Sequence, residues 1–314
     1  MLSILRNVVH CEDIVRHGGL RALKGVQFVD CSWHMDRPAR PDYDKERIPG
    51  ASFMNIDQCA DMTSSLPHMM PKKSTIDEYM RGIGLRSADP IVVYETGGIF
   101  ASPRAWYMLK AAGAEQVAVL NGGLSAWKRN DLDTDTSPPV ASCSTGPFSA
   151  SQDEQAAKYF KNAKDVLGLV KKLSNMEVGG DPAQIGYIID ARNQQRFNGQ
   201  VDEPRPNTRR GHIPGSLNVP FSSLLDADGG FLPVDVLSNV FTSAGLDVSH
   251  AIESKAPLVF SCGSGVTACV PLLALVEYLG VPMEQCAVYD GSWSEWGLDT
   301  TNRPLPVEVT ANIS

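Results

Sequence analysis

Six consecutive residues, Cys262-Gly263-Ser264-Gly265-Val266-Thr267, set a thiol among two glycines and two hydroxyls. The apolar run Pro257-Leu258-Val259-Phe260 precedes them and a helix-compatible run from Ala268 to Leu279 follows, so the thiol is expected where a buried strand ends and a helix begins. Glycines in such a loop let successive N–H groups point inward. With the positive end of the helix dipole, they hold an anion. A thiol placed there is expected to ionise more readily than a free cysteine and to act as a nucleophile, with the Ser264 hydroxyl adding a hydrogen bond two residues on. The competing reading is a small buried hydrophobe. A core position needs neither the glycines nor the serine.

Two other chemistries use similar residues. Gly263-x-Gly265-x-x-Ala268, with Glu284 in the acidic position 21 residues after Gly263, matches a loose dinucleotide fingerprint. It starts only about fifty residues from the C-terminus, too late to build a second mononucleotide half. A cysteine phosphatase needs an arginine at the sixth position after its cysteine to clamp phosphate, and that position holds Ala268.

The elements that must carry this loop follow from a repeat in the chain. Val29-Asp30-Cys31, Ile48-Pro49-Gly50-Ala51, Ile91-Val92-Val93-Tyr94-Glu95 and Asn121-Gly122-Gly123 in the first half recur in the second. Their counterparts are Ile189-Asp190-Ala191-Arg192, His212-Ile213-Pro214-Gly215-Ser216, Leu258-Val259-Phe260-Ser261-Cys262 and Asp290-Gly291-Ser292-Trp293. The offset drifts from 160 (Asp30 to Asp190) through 165 (Pro49 to Pro214) and 167 (Glu95 to Cys262) to 169 (Gly122 to Gly291), as small loop insertions produce. Short β-rich runs alternate with helix-compatible runs such as Arg104 to Ala112. The expected fold class is therefore α/β: two tandem domains, each a mostly parallel sheet with helices on both faces and ligands at the carboxyl ends of its strands. The expected division is residues 1–135, a linker at 136–152 containing Pro138-Pro139, and 153–314. Ser151-Gln152-Asp153-Glu154 has capping-box spacing and is read as opening a helix in which Val166, Leu167, Val170 and Leu173 recur at helical spacing. Pro271 must fall in or near a first helical turn, or kink its helix.

Composition narrows the function. A formal net charge of −8 argues against nucleic acid or an anionic membrane surface as the main partner. No apolar run reaches the roughly twenty residues of a membrane span. The seven cysteines show no Cys-x-x-Cys pairing and the six histidines are dispersed, so neither a disulfide framework nor a metal is implied. Met1-Leu2-Ser3-Ile4-Leu5-Arg6 has little of a transit peptide, so a cytoplasmic location is expected, with a mitochondrial one as the alternative.

With these residues assembled, the chain resembles the two-domain rhodanese-like sulfurtransferases over nearly its whole length, most closely the 3-mercaptopyruvate sulfurtransferases. The resemblance is carried by Ile48-Pro49-Gly50-Ala51, His212-Ile213-Pro214-Gly215-Ser216, Ser102-Pro103-Arg104-Ala105-Trp106, Asp290-Gly291-Ser292-Trp293 and above all Cys262 to Thr267. It implies that only the second domain is catalytic. Glu95 stands where the repeat would put a first-domain cysteine.

The resemblance also assigns roles. Cys262 is the nucleophile and Gly263, Gly265, Val266 and Thr267 complete the cradle. Arg196 and Arg205 are the substrate-binding arginines, although Arg192, Arg209 and Arg210 lie in the same stretch and residue type alone does not rank them. Asp57 is placed to hydrogen-bond Ser264 in a Cys262, Ser264, Asp57 relay, and His68 matches another first-domain position near the cleft. Asn55 departs from the aspartate of close relatives. Members specialised for thiosulfate, a dianion, carry basic residues after the cysteine. Gly263, Ser264 and Gly265 supply none, which suits 3-mercaptopyruvate, whose carboxylate lies farther from the sulfur.

The implied reaction, which needs no cofactor, makes a Cys262 persulfide and pyruvate, then passes sulfur to thioredoxin, a small thiol or cyanide, with hydrogen sulfide released by thiols. Thiosulfate:cyanide sulfurtransfer and a non-enzymatic rhodanese-like binding module remain the alternatives. Cys269, seven residues after Cys262, is read as core, with redox pairing as the second possibility.

Overall fold

A computed structural model describes residues 6–139, 148, 157–299 and 305–310. The chain forms two compact units, one of Met1–Thr63, Met70–Ala156 and Leu225–Phe231, the other of Ser64–Met69, Ala157–Leu224 and Leu232–Ser314. The linear reading carries no sign of the two exchanged segments.

The first unit holds strands β1 (Val8–Val9), β2 (Gln27–Asp30), β3 (Ser52–Phe53), β4 (Ile91–Tyr94) and β5 (Val117–Leu120), all parallel, in the order β1-β5-β4-β2-β3. The second holds β6 (Phe160–Lys161), β7 (Tyr187–Asp190), β8 (Leu217–Asn218), β9 (Leu258–Ser261) and β10 (Cys286–Tyr289), also parallel, in the order β6-β10-β9-β7-β8. Strand for strand the two orders are the same, as the repeat requires. The strands β4, β5, β7, β9 and β10 are buried at every residue, as parallel strands covered by helices on both faces must be. Their sequences are accordingly apolar except for Asp190 and Ser261 at strand ends, and each buried Val, Ile or Leu contributes roughly 1.5–3 kcal/mol.

The helices fall in the crossover connections. The run expected at Arg104 to Ala112 forms Ser102–Ala111, and that expected at Ala268 to Leu279 forms Cys269–Tyr278. Pro271 lies in the first turn of the latter, where its missing N–H breaks no intrahelical bond. The helix with Val166 and Val170 on its buried face starts later than expected, at Ala163, after β6. Its capping box is Asn162 with Asp165: the Asn162 side chain accepts the Lys164 and Asp165 N–H groups, and Asp165 accepts the Asn162 N–H. Ser151 to Glu154 lie outside the described residues. Among the described residues, no helix is long and apolar enough to cross a membrane.

Candidate active site

In the second unit β9 lies between β10 and β7, so the loops leaving the carboxyl ends of these three neighbours meet at one edge of the sheet. The loop after β9 begins with Cys262, which is 2% exposed. Ser264 and Val266 are buried beside it, Thr267 is half-buried, and Gly265 takes φ +75°, which a side chain would strain. Cys269 is buried in the first turn of the following helix, its thiol directed at the Gly265 carbonyl 3.6 Å away.

The loop after β10 holds this backbone. Trp293 N–H donates to the Cys262 carbonyl at 3.0 Å. Ser294 donates to the Gly263 carbonyl twice, from its N–H at 2.8 Å and its hydroxyl at 2.7 Å. In a trans peptide the carbonyl and the next N–H point in opposite directions. Anchoring these two carbonyls therefore turns the N–H groups of Gly263 and Ser264 the other way. Among the described residues neither N–H has a protein acceptor.

The corresponding first-unit loop binds a carboxylate through N–H groups farther along, at the positions equivalent to Thr267, Ala268 and Cys269. Glu95, in the place of Cys262, folds its carboxylate back so that one oxygen accepts the N–H of Phe100 at 2.7 Å, of Ala101 at 2.9 Å and of Ser102 at 2.8 Å, plus the Ser102 hydroxyl at 2.6 Å. Burial raises the Glu95 pKa above the ordinary carboxylate value, against the pull of these donors. The loop is an anion cradle occupied by the chain's own side chain.

The loop after β7 brings the arginines. A Cβ built on Gly263 would lie 3.2 Å from Arg196 Nη2 and 3.6 Å from Arg205 Nη1, so both guanidinium groups reach the thiol loop at a residue with no side chain. Arg196 is fixed by Glu203, to which its Nε and Nη2 donate at 3.1 and 2.6 Å. Arg192 has a different part. Its side chain is wholly buried, donates to Asp190, Glu203 and the Gly211 carbonyl, and lies over the Trp293 ring at 4.2 Å. Burial opposes its charge, yet Asp190 and Glu203 hold its pKa above the ordinary arginine value. Arg209 donates to the Trp296 and Gly297 carbonyls, and Arg210 pairs with Asp202 at the surface. Of five arginines in one stretch, two come to the thiol loop.

His68, from the short segment Ser64–Met69, belongs to this unit. It is 5% exposed, has φ +61°, and places Nδ1 3.0 Å from Ser264 Oγ. A left-handed, buried histidine is costly, and such strain collects at functional sites. Asp57 belongs to the first unit, where it is exposed and accepts the Trp33 indole N–H at 3.0 Å on each carboxylate oxygen. Asn55 there closes a turn by accepting the Asp57 N–H at 2.9 Å. Cys262, Ser264, His68, Arg196 and Arg205 thus gather around one loop of the second unit.

Among the described residues the remaining first- and second-unit thiols are buried in the core. Burial pushes those of Cys11 and Cys59 up to about 12 and raises those of Cys31 and Cys286.

Residue type alone did not single out Glu203, Ser292 or Ser294. The spacing of Glu203 seven residues after Arg196 was the available signal for the first, and the repeat position of Ser292 opposite Gly123 for the second.

Comparison with known proteins adds to this geometry. The rhodanese-like domain model matches residues 19–130 and 169–299. The chain is 41% identical over 287 residues to a 3-mercaptopyruvate sulfurtransferase of Escherichia coli (strain K12), covering 90% of this chain and 92% of that one. It is 34% identical over 292 residues to a thiosulfate sulfurtransferase of Gallus gallus, covering 90% of each. The crystal structure of SseA from Escherichia coli, described as a 3-mercaptopyruvate sulfotransferase with the rhodanese fold, superposes with a TM-score of 0.74 at 35% identity, over 92% of this chain and all of that one.

Proposed function

The chain belongs to the rhodanese-like domain family, with two such domains, and from that premise we propose that it transfers the sulfur of 3-mercaptopyruvate through a persulfide on Cys262. The observation that carries this reading is the pairing of an uncharged thiol loop with two guanidinium groups at Gly263. The charge needed to hold a substrate anion stands beside the nucleophile's loop and not within it. That arrangement suits a monocarboxylate whose sulfur is two carbons removed.

The Cys262 thiolate attacks the substrate sulfur and forms an S–S bond as the C–S bond breaks. The bonding pair leaves as the enolate of pyruvate, which takes a proton. Arg196 and Arg205 hold the carboxylate and neighbouring carbonyl in planar, bidentate fashion and stabilise the enolate. The N–H groups of Gly263 and Ser264, with Gly265, Val266 and Thr267 shaping the turn, cradle the sulfur anion. Ser264 and His68, 3.0 Å apart, form a proton path beside it. An acceptor thiolate, from reduced thioredoxin or a small thiol, or cyanide, then takes the outer sulfur and restores the Cys262 thiolate. A second thiol frees it as hydrogen sulfide, and the kinetics are ping-pong. A cytoplasmic location belongs to the same proposal.

Pyruvate formed from 3-mercaptopyruvate, measured against thiocyanate formed from thiosulfate and cyanide, tests the donor. A preference for thiosulfate would replace the substrate assignment, and no added sulfur on Cys262 by mass spectrometry would favour a binding module. Losing one charge-assisted bond costs roughly 1.5–3 kcal/mol, so Arg196→Ala or Arg205→Ala is expected to raise KM for 3-mercaptopyruvate about ten- to a hundredfold. An unchanged KM in both variants removes their assigned role.

A further inference from the structure

Ser292 opens the short helix Ser292–Trp296 after β10, is completely buried and has φ +47°. A serine in that left-handed region costs energy that a glycine would not. Its repeat counterpart in the first unit is indeed a glycine, Gly123, at φ +59°. There no side chain fits, since a Cβ would stand 2.3 Å from the carbonyl oxygens of both Glu95 and Gly97. Two further bonds of the clamp have counterparts in both units. Leu124 N–H donates to the Glu95 carbonyl at 2.8 Å as Trp293 N–H does to that of Cys262, and the Ser125 hydroxyl donates to the Thr96 carbonyl at 3.1 Å as that of Ser294 does to Gly263. The thiol-bearing unit adds the Ser294 N–H bond and, at the glycine's place, the hydroxyl of Ser292. That hydroxyl accepts the Cys262 N–H at 3.2 Å and donates to the Tyr289 carbonyl at 2.8 Å.

We propose that Ser292 is a positioning residue of the sulfur-transfer centre, whose strained backbone is retained so that its hydroxyl can fix the Cys262 peptide and aim the thiol into its cradle. The Cys262 N–H and carbonyl are then both tied to one turn, Ser292-Trp293, and the nucleophile's main chain is pinned at both ends. Fixing the reacting atom's backbone helps the step that forms the S–S bond and leaves donor binding alone. This rests on the assignment of Cys262 as the nucleophile.

Two substitutions separate strain from hydrogen bonding. Ser292→Gly removes the hydroxyl and relieves the left-handed strain, whereas Ser292→Ala removes the hydroxyl and keeps the strain. Both are expected to lower kcat per titrated active site about tenfold, the worth of one hydrogen bond, with KM changed less than about twofold. Their Tm values should part, with Ser292→Gly above Ser292→Ala because only the latter keeps the left-handed strain. The rate of Cys262 alkylation by iodoacetamide, which needs no sulfur donor, should fall in both. A Ser292→Gly enzyme with parental kcat and alkylation rate overturns the proposal. A parent enzyme whose Cys262 neither alkylates nor takes up sulfur overturns the nucleophile assignment instead.

Discussion

Cys262→Ser is expected to reduce sulfur transfer by at least about four orders of magnitude while leaving the fold intact, because the nucleophile is lost and little else changes. Serine has nearly the volume of cysteine, so a site 2% exposed keeps its packing. A hydroxyl is not appreciably ionised near neutrality, and an oxygen cannot store sulfur as a persulfide. Mass spectrometry after exposure to 3-mercaptopyruvate should find one added sulfur on the parent and none on the variant, with matching thermal unfolding of the two. Cys269→Ser serves as the control, since that thiol is buried against the Gly265 carbonyl and is expected to keep transfer within a few-fold. Sulfur uptake by Cys262→Ser equal to the parent's would place the chemistry elsewhere.

The second large effect concerns stability and exploits the repeat. Asp30 and Asp190 end equivalent strands and both are almost wholly buried, yet their surroundings differ. Two residues on, Asp190 meets Arg192 and Asp30 meets Ser32. Asp190→Ala strips three of the guanidinium contacts of a side chain with no solvent exposure and is expected to cost about 3–5 kcal/mol, with activity lost as the Arg192–Glu203–Arg196 chain loosens. Asp30 has no such cation. Burial, helped by Glu95 and opposed by Ser32 and Tyr94, raises its pKa from 3.8 to about 6.

The sign of the consequence is opposite. A carboxyl whose pKa is raised on folding binds more protons in the native state than in the unfolded one, so stability is fully present below about pH 4 and is lost as pH rises through about 6. The rise from 3.8 to about 6 corresponds to roughly 3 kcal/mol. Asp30→Asn is therefore expected to match the parent near pH 4 and to exceed it by up to about 3 kcal/mol above pH 7, by denaturant titration at both pH values. A difference that does not grow with pH would mean that Asp30 is not a buried charge without compensation.

These predictions draw unequally on what the linear chain reveals. The alternation of apolar strand runs and helical runs is local, so the parallel α/β class, the repeat and the thiol loop could be read from contiguous residues. The helix start near Ala163 could not be placed the same way, because Ser151-x-x-Glu154 and Asn162-x-x-Asp165 both have capping spacing and only the strand between them decides. The resemblance pairs Asp57 with Ser264, and the structure adds His68, whose ring lies 3.0 Å from that hydroxyl within one unit. A histidine in a loop carries no sequence mark of the left-handed backbone that turns it inward.

What the residues alone determined, then, is the proposed nucleophile and its seat: a cysteine at the end of an apolar strand, in a turn that holds two glycines. The tertiary structure decided which side chains keep it company. It selected Arg196 and Arg205 from five arginines, gave Arg192 to an internal ion network, and set Ser292 against the Cys262 amide. The reason is physical. Backbone preference and burial period act between neighbours in sequence, whereas these contacts join loops from three strands that only the sheet order makes adjacent.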